Sequence, residues 1–199
     1  MVDNPALAFV GVGSNIRPED NILKALTALA ETPGIALTGI STFYRTAPIA
    51  DPKDSILPPS ADRRDLDPDF LNGVLEIRTG LPSDALLRLF DEIEAGLGRK
   101  RPSERYAPRT MDLDLLLYGR GHSGVSGPTW EEIGPGKYLA HNDIERRAFV
   151  SHPLLELAPN LALPPHGIPL MALAAIFDSP GGAPETALTQ DLKTRFLSA

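Results

Sequence analysis

The chain has 199 residues, 42% of them hydrophobic, so a single domain with a substantial core is expected. Its 26 acidic against 19 basic side chains give a net charge of -7, which argues against general binding to nucleic acid or anionic membrane. With no cysteine, disulfide frameworks and thiolate metal sites are excluded. The amino terminus lacks the basic start of a secretory signal and no apolar run reaches transmembrane length, so a cytoplasmic location is expected.

In chain order, Leu7 to Val12 is an apolar run leading into Gly11-Val12-Gly13-Ser14-Asn15, and reads as a buried strand closing in a tight turn. The glycines do not make a dinucleotide fingerprint, because the third is missing. Behind Pro18-Glu19-Asp20, apolar residues Ile22, Leu23, Leu26, Leu29 and Ala30 recur at helical spacing, a helix of roughly three turns that Pro33-Gly34 stops. Ile35 to Thr46 reads as the second strand and Phe70 to Thr79 as the third. Leu81-Pro82-Ser83-Asp84 opens a second helix with the buried stripe Leu86, Leu89, Phe90, Ile93 and Leu97, and Gly98 ends it.

The fourth strand is Met111 to Tyr118. Its period of two puts Asp112 and Asp114 on one face, with Met111, Leu113, Leu115 and Leu117 on the other. Two like charges this close are costly unless a cation satisfies them. A hard divalent ion such as Mg²⁺ takes one or two carboxylates from a protein and completes its shell with phosphate oxygens. The preceding stretch, Arg99 to Arg109, carries five basic residues against the single acid Glu104. Guanidinium forks match phosphate oxygens, so triphosphate binding beside a metal is indicated. The bare residues leave a plainer alternative, in which the aspartates, the basic run and Glu94 are solvated surface and Phe70 and Phe149 belong to the core.

The order β-α-β-β-α-β predicts an α+β, ferredoxin-like domain: an antiparallel sheet with both helices on one face and the other face free for a ligand. Beyond it, Pro153 to Ala158 and Pro169 to Phe177 read as short helices, each with proline at its start. From Asp178 a loosely held tail is expected, with one weak helical stretch from Leu188 to Phe196, giving a domain over 1–177 and a tail over 178–199. Ala50 to Asp67 and Gly119 to Gly136 read as long loops able to act as lids. Trp130, in the second of them, reads as a packing group rather than a lid anchor.

Several segments together resemble the 6-hydroxymethyl-7,8-dihydropterin pyrophosphokinases. They are Val12-Gly13-Ser14-Asn15, Phe43 to Pro48, Asp69-Phe70-Leu71-Asn72, Ile93-Glu94 through Gly98-Arg99, Pro108 to Asp114, Arg147-Ala148-Phe149 and His152-Pro153-Leu154. The resemblance implies diphosphate transfer from ATP to a pterin alcohol in folate biosynthesis, with two Mg²⁺ ions on Asp112 and Asp114 and with Arg99 and Arg109 at the phosphates. It implies Glu94, Arg101, Tyr106, Leu115, His141 and Arg147 at the nucleotide. Thr46, Ala47, Ile49, Phe70, Asn72 and Phe149 would form the pterin pocket, with Asn72 reading the amide edge of the ring between two aromatic faces. Other folate-pathway enzymes are implied as partners. Tyr106, Ala47, Asp91 and Asn142 depart from the residues usual in the family, and the loops are longer than in compact members. A ligand-binding module without turnover and a metal-dependent phosphohydrolase are the competing readings.

Overall fold

The computed structural model describes residues 5–48, 68–99, 108–120, 129–130, 132–134, 137–138 and 142–197. Its main elements are β1 (Ala6–Ser14), α1 (Pro18–Glu31), β2 (Ile35–Ile40), β3 (Tyr44–Thr46), β4 (Phe70–Thr79), α2 (Ser83–Gly96) and β5 (Asp112–Arg120). The short strands β6 (Thr129–Trp130), β7 (Glu132–Gly134) and β8 (Lys137–Tyr138) follow, then α3 (Asp143–Arg146) and α4 (Ala148–Leu157). The chain ends with β9 (Ala162–Leu163), β10 (Ile168–Pro169), α5 (Leu170–Ala174), β11 (Gly182–Pro184) and α6 (Thr186–Phe196). The main sheet runs β11-β3-β4-β1-β5-β6, with β2 paired to the far half of β4, and every pairing is antiparallel. This is the ferredoxin-like α+β sheet that the element order predicts. Among the described residues no helix is long and apolar enough to cross a membrane.

β1 lies at the centre of the sheet and is buried along almost its whole length, which is why it reads as a continuous apolar run rather than an alternating one. Ala6, Ala8, Val10 and Val12 meet Ile22, Leu26 and Leu29 of α1 and Leu86, Phe90 and Ile93 of α2 in a first core. Burying one large apolar side chain of this kind contributes about 1.5–3 kcal/mol. On the opposite face Phe9, Val74, Leu116 and Leu117 pack against Ile144, Val150, Leu154 and Leu170 in a second core. The face expected to be free is therefore half covered by α3, α4 and α5, because those sheet residues form an apolar patch that water would penalise. The uncovered half is the groove.

Other expectations are corrected by local packing. The segment from Ile35 to Thr46 is two strands, broken where the Ser41 hydroxyl accepts the Val74 N–H (2.8 Å) and Phe43 turns into the first core. A register shift between Phe9, opposite Leu117, and Val10, opposite Leu115, leaves Leu116 as a bulge residue. Leu117 consequently joins the second core instead of lying with Leu113 and Leu115, and Tyr118 enters the first. α4 starts at Ala148, so Pro153 is interior rather than initial. Gly119 to Gly136 is not structureless, since it contributes β6 and β7, and Trp130 packs with its ring 6.4 Å from that of Phe9. The residues after Phe177 are not loosely held: β11 pairs with β3, and Leu192 of α6 is fully buried in the first core. Ala50 to Asp67 lies outside the described residues.

Candidate active site

Strand register sets Tyr44, Asn72, Gly13 and Asp112 side by side across β3, β4, β1 and β5, with Gly11 between Val74 and Asp114 in the next row on that face. Gly11 and Gly13 offer the groove no side chain. A methyl group on Gly13 would lie 2.8 Å from Asn72 Oδ1, and one on Gly11 would lie 3.3 Å from the Leu116 side chain. The result is a cavity of about 270 Å³ floored by main chain. Thr46, Ala47, Phe70 and Asn72 form one wall, Asp112 and Asp114 the other, and Arg147 and Phe149 also line it. That volume is at the small end of ligand pockets and suits a compact ring system. Asn72 Nδ2 donates to Thr46 Oγ1 at 2.8 Å, which fixes the amide's orientation. From Asn72 to Asp112 is two interstrand steps, about 10 Å.

At the β5 end, charged groups hold one another. Arg99 Nη1 lies 2.7 Å from Asp112 Oδ1, and the other Asp112 oxygen accepts from Arg109 Nη1. Arg99 also pairs with Glu94, which is 3% exposed and whose Oε1 accepts the Leu113 N–H at 2.7 Å. Burial pushes the Glu94 carboxyl above its ordinary range, against the pull of the Leu113 N–H and of Arg99. Burial lowers the Arg99 pKa, but Asp112 and Glu94 outweigh it and leave the group raised and cationic. Gly98, at φ 80°, closes α2 in a left-handed turn that delivers Arg99 to this position. Asp112 and Asp114 also line an open cleft between α2 and the outer side of β5, together with Leu87, Asp91, Glu94 and Arg99. The carboxylate pair thus stands on the wall shared by two concavities.

Among the described residues no cluster of three or more His, Asp or Glu is gathered as a metal site. Two carboxylates are nevertheless what Mg²⁺ takes from a protein when phosphates complete its shell. The two guanidiniums on Asp112 show a position organised around positive charge. These residues fit a magnesium site.

Of the residues singled out from sequence, Thr46, Ala47, Phe70, Asn72, Arg109, Asp112, Asp114, Arg147 and Phe149 line the groove, and Glu94 and Arg99 lie in the cleft. Leu115 lines neither: its side chain is buried in the first core, as its place opposite the aspartates on the strand requires. Arg101, Tyr106, Ile49 and His141 lie outside the described residues. His152 is structural, with Nε2 3.3 Å from the Phe177 carbonyl. Asn15, which the sequence places in the turn after the first strand and in a family segment without a role of its own, ties that turn to the site. This side chain, 2% exposed, accepts the Arg109 N–H at 2.7 Å and donates to the Pro68 carbonyl at 3.2 Å. Ser14 Oγ donates to the Thr110 carbonyl at 2.7 Å. The available signal was two polar residues directly after an apolar strand, which when buried must find partners.

The family described as 7,8-dihydro-6-hydroxymethylpterin-pyrophosphokinase matches residues 9–159. Proteins named 2-amino-4-hydroxy-6-hydroxymethyldihydropteridine pyrophosphokinase are similar over most of the chain. The one from Methylorubrum extorquens is 36% identical over 78% of this chain and 85% of its own. That from Pseudomonas aeruginosa is 34% identical over 78% and 83%, and that from Synechocystis sp. is 32% identical over 83% and 73%. With the ferredoxin-like sheet and a two-sided carboxylate site, these similarities establish that the chain belongs to the 7,8-dihydro-6-hydroxymethylpterin-pyrophosphokinase family.

Proposed function

We propose that this pyrophosphokinase transfers diphosphate from ATP to 6-hydroxymethyl-7,8-dihydropterin with the pterin in the glycine-floored groove and the nucleotide in the cleft beside β5. The observation that carries this assignment is that Asp112 and Asp114 line both concavities, so groups bound on either side converge on one carboxylate pair. The pterin lies on the Gly11 and Gly13 backbone, its faces against Phe70 and Phe149 and its amide edge toward Asn72, with Thr46 and Ala47 completing the wall. Two interstrand steps away, about 10 Å, its hydroxymethyl group reaches the aspartates.

Asp112 and Asp114 would hold two Mg²⁺ ions, which when bound supply the positive charge that draws a triphosphate to this edge of the sheet. Arg99 and Arg109 then exchange Asp112 for phosphate oxygens, to which a guanidinium is geometrically suited. Arg147 Nε is buried and has no hydrogen-bond partner among the described residues, lying 3.8 Å from Asp143. Such a donor costs about 1–3 kcal/mol until an acceptor arrives, which favours a ligand oxygen there. Glu94 acts by holding Arg99 and the Leu113 N–H. Next to Leu115 the outer side of β5 has no partner strand among the described residues, so its main chain is what Leu115 offers the nucleotide. The family resemblance adds Arg101, Tyr106 and His141 as residues that would serve the nucleotide, and contact with other folate-pathway enzymes and a cytoplasmic location complete the proposal.

The hydroxymethyl oxygen attacks the β-phosphorus in line and AMP leaves. The protein's task is chiefly to position the two substrates and neutralise their charge. The test is to follow AMP formation with ATP, Mg²⁺ and the pterin alcohol, omitting each in turn. AMP release that needs all three is the expected result. Release of inorganic phosphate without the pterin would mark a hydrolase, and turnover that survives EDTA would remove the metal from the scheme.

A further inference from the structure

We propose that β11 and α6 form a positioning brace for the pterin wall of the groove, acting through β3; this rests on the placement of the pterin against Thr46 and Asn72. β3 is only three residues long, and on its groove side it is paired solely with Phe70, Leu71 and Asn72 of β4. Its other edge is supplied by β11, which pairs Gly182 with Thr46, Ala183 with Arg45 and Pro184 with Tyr44. The next turn continues the hold. The Glu185 N–H donates to the Phe43 carbonyl at 2.8 Å, and its carboxylate accepts Arg45 Nε at 2.6 Å. Thr189 Oγ1, buried, accepts the Phe43 N–H at 3.0 Å. Each residue from Phe43 to Thr46 is thus gripped from the C-terminal segment.

The brace is itself anchored. Leu192 is fully buried in the first core, Leu188 and Phe196 pack against that core, and α6 meets α1 and β2. The fit against β3 leaves no slack, since a methyl group on Gly182 would lie 2.2 Å from the Arg45 carbonyl oxygen and 2.8 Å from Thr46 Cγ2. Thr46 Oγ1 accepts from Asn72 Nδ2, so a shift of β11 passes through one hydrogen bond to the amide that faces the pterin. Gly182 to Phe196 lies beyond the family-matched residues 9–159. A three-residue edge strand would otherwise be a poor mount for a specificity wall.

The experiment uses the full chain and compares Gly182→Ala, Thr189→Val and Thr189→Ser with the wild type. It measures KM for each substrate, pterin binding by fluorescence titration, and thermal stability. Gly182→Ala should raise the pterin KM about tenfold, the effect of one displaced hydrogen bond, with kcat and the ATP KM within about twofold. Thr189→Val should act in the same direction and Thr189→Ser should restore the wild-type value. Leu163→Ala, a change in β9 within the second core rather than the first core that holds Leu192 and Phe43, provides a destabilised control without the pterin-selective effect. Pterin KM unchanged in folded Gly182→Ala, or both KM values moving together, overturns the brace. Should Gly182→Ala not fold, Thr189→Val decides by the same criterion. Asn72→Ala separates the two readings: unchanged pterin affinity there defeats the pocket assignment, whereas lost affinity there with wild-type behaviour in the β11 and α6 variants defeats the brace alone.

Discussion

The two ends of the groove are held in different ways. At the β3 and β4 end the functional groups are fixed by backbone pairing and by neutral hydrogen bonds such as Asn72 to Thr46. At the β5 end, Arg99, Arg109, Glu94 and Asp112 are fixed by one another. Arg99 and Asp112 are only 17% and 18% exposed, so removing one partner strands a poorly solvated charge, at a cost of several kcal/mol. An arriving phosphate or cation can replace a lost partner directly. On the proposed assignment, groups that recognise shape are mounted on the sheet, whereas groups that change partners are held by bonds a ligand can exchange.

The largest expected effect tests the charged end. Asp112→Asn and Asp114→Asn should each lower kcat by at least about a thousandfold, the loss of several kcal/mol of charge stabilisation, with the circular dichroism spectrum unchanged. Near-normal turnover in either variant would erase the distinction between the two ends. An intermediate effect tests their independence. Gly13→Ala places a methyl 2.8 Å from Asn72 Oδ1 and should raise the pterin KM about tenfold, as for a displaced hydrogen bond, leaving the ATP KM alone. Equal movement of both constants would show that the ends are one unit.

The smallest effect lies at the margin of the braced strand. Tyr44 donates to Glu156 at 2.7 Å, and burial together with that carboxylate pushes its hydroxyl up to about 12. Tyr44→Phe should cost about 0.5–1 kcal/mol in urea unfolding at neutral pH, with both KM values unchanged. The hydroxyl ionises at higher pH in the folded chain than in the unfolded one, so its contribution is complete below the ordinary tyrosine value of 10.0 and fades toward 12. The stability gap between wild type and variant should therefore close across that interval. A gap that widens with pH would reverse the assignment.

Local pattern accounts for what was legible in the sequence. Phe70 to Thr79 has the bounds expected of it, and Asp112 and Asp114 share a face as a period of two demands. The bulge at Leu116 was hidden because it depends on how β5 registers against Phe9 and Val10, far away in the chain. The role of α6 was hidden for a similar reason: its apolar spacing is weak, and Leu192 acquires its importance only from α1 and β2. Proline is common at helix starts, so the sequence predicts one at Pro153, whereas α4 begins five residues earlier and carries it inside. Glu94 looked like an ordinary helix-surface acid until the edge of β5 was laid against it.

The bare floor at Gly11 and Gly13 has a consequence for antifolate chemistry. A compound resting on main-chain atoms cannot be evaded by trimming a side chain, because there is none to trim. Escape at these positions would have to add atoms, and with the pterin placed as proposed an added atom would obstruct the substrate along with the drug.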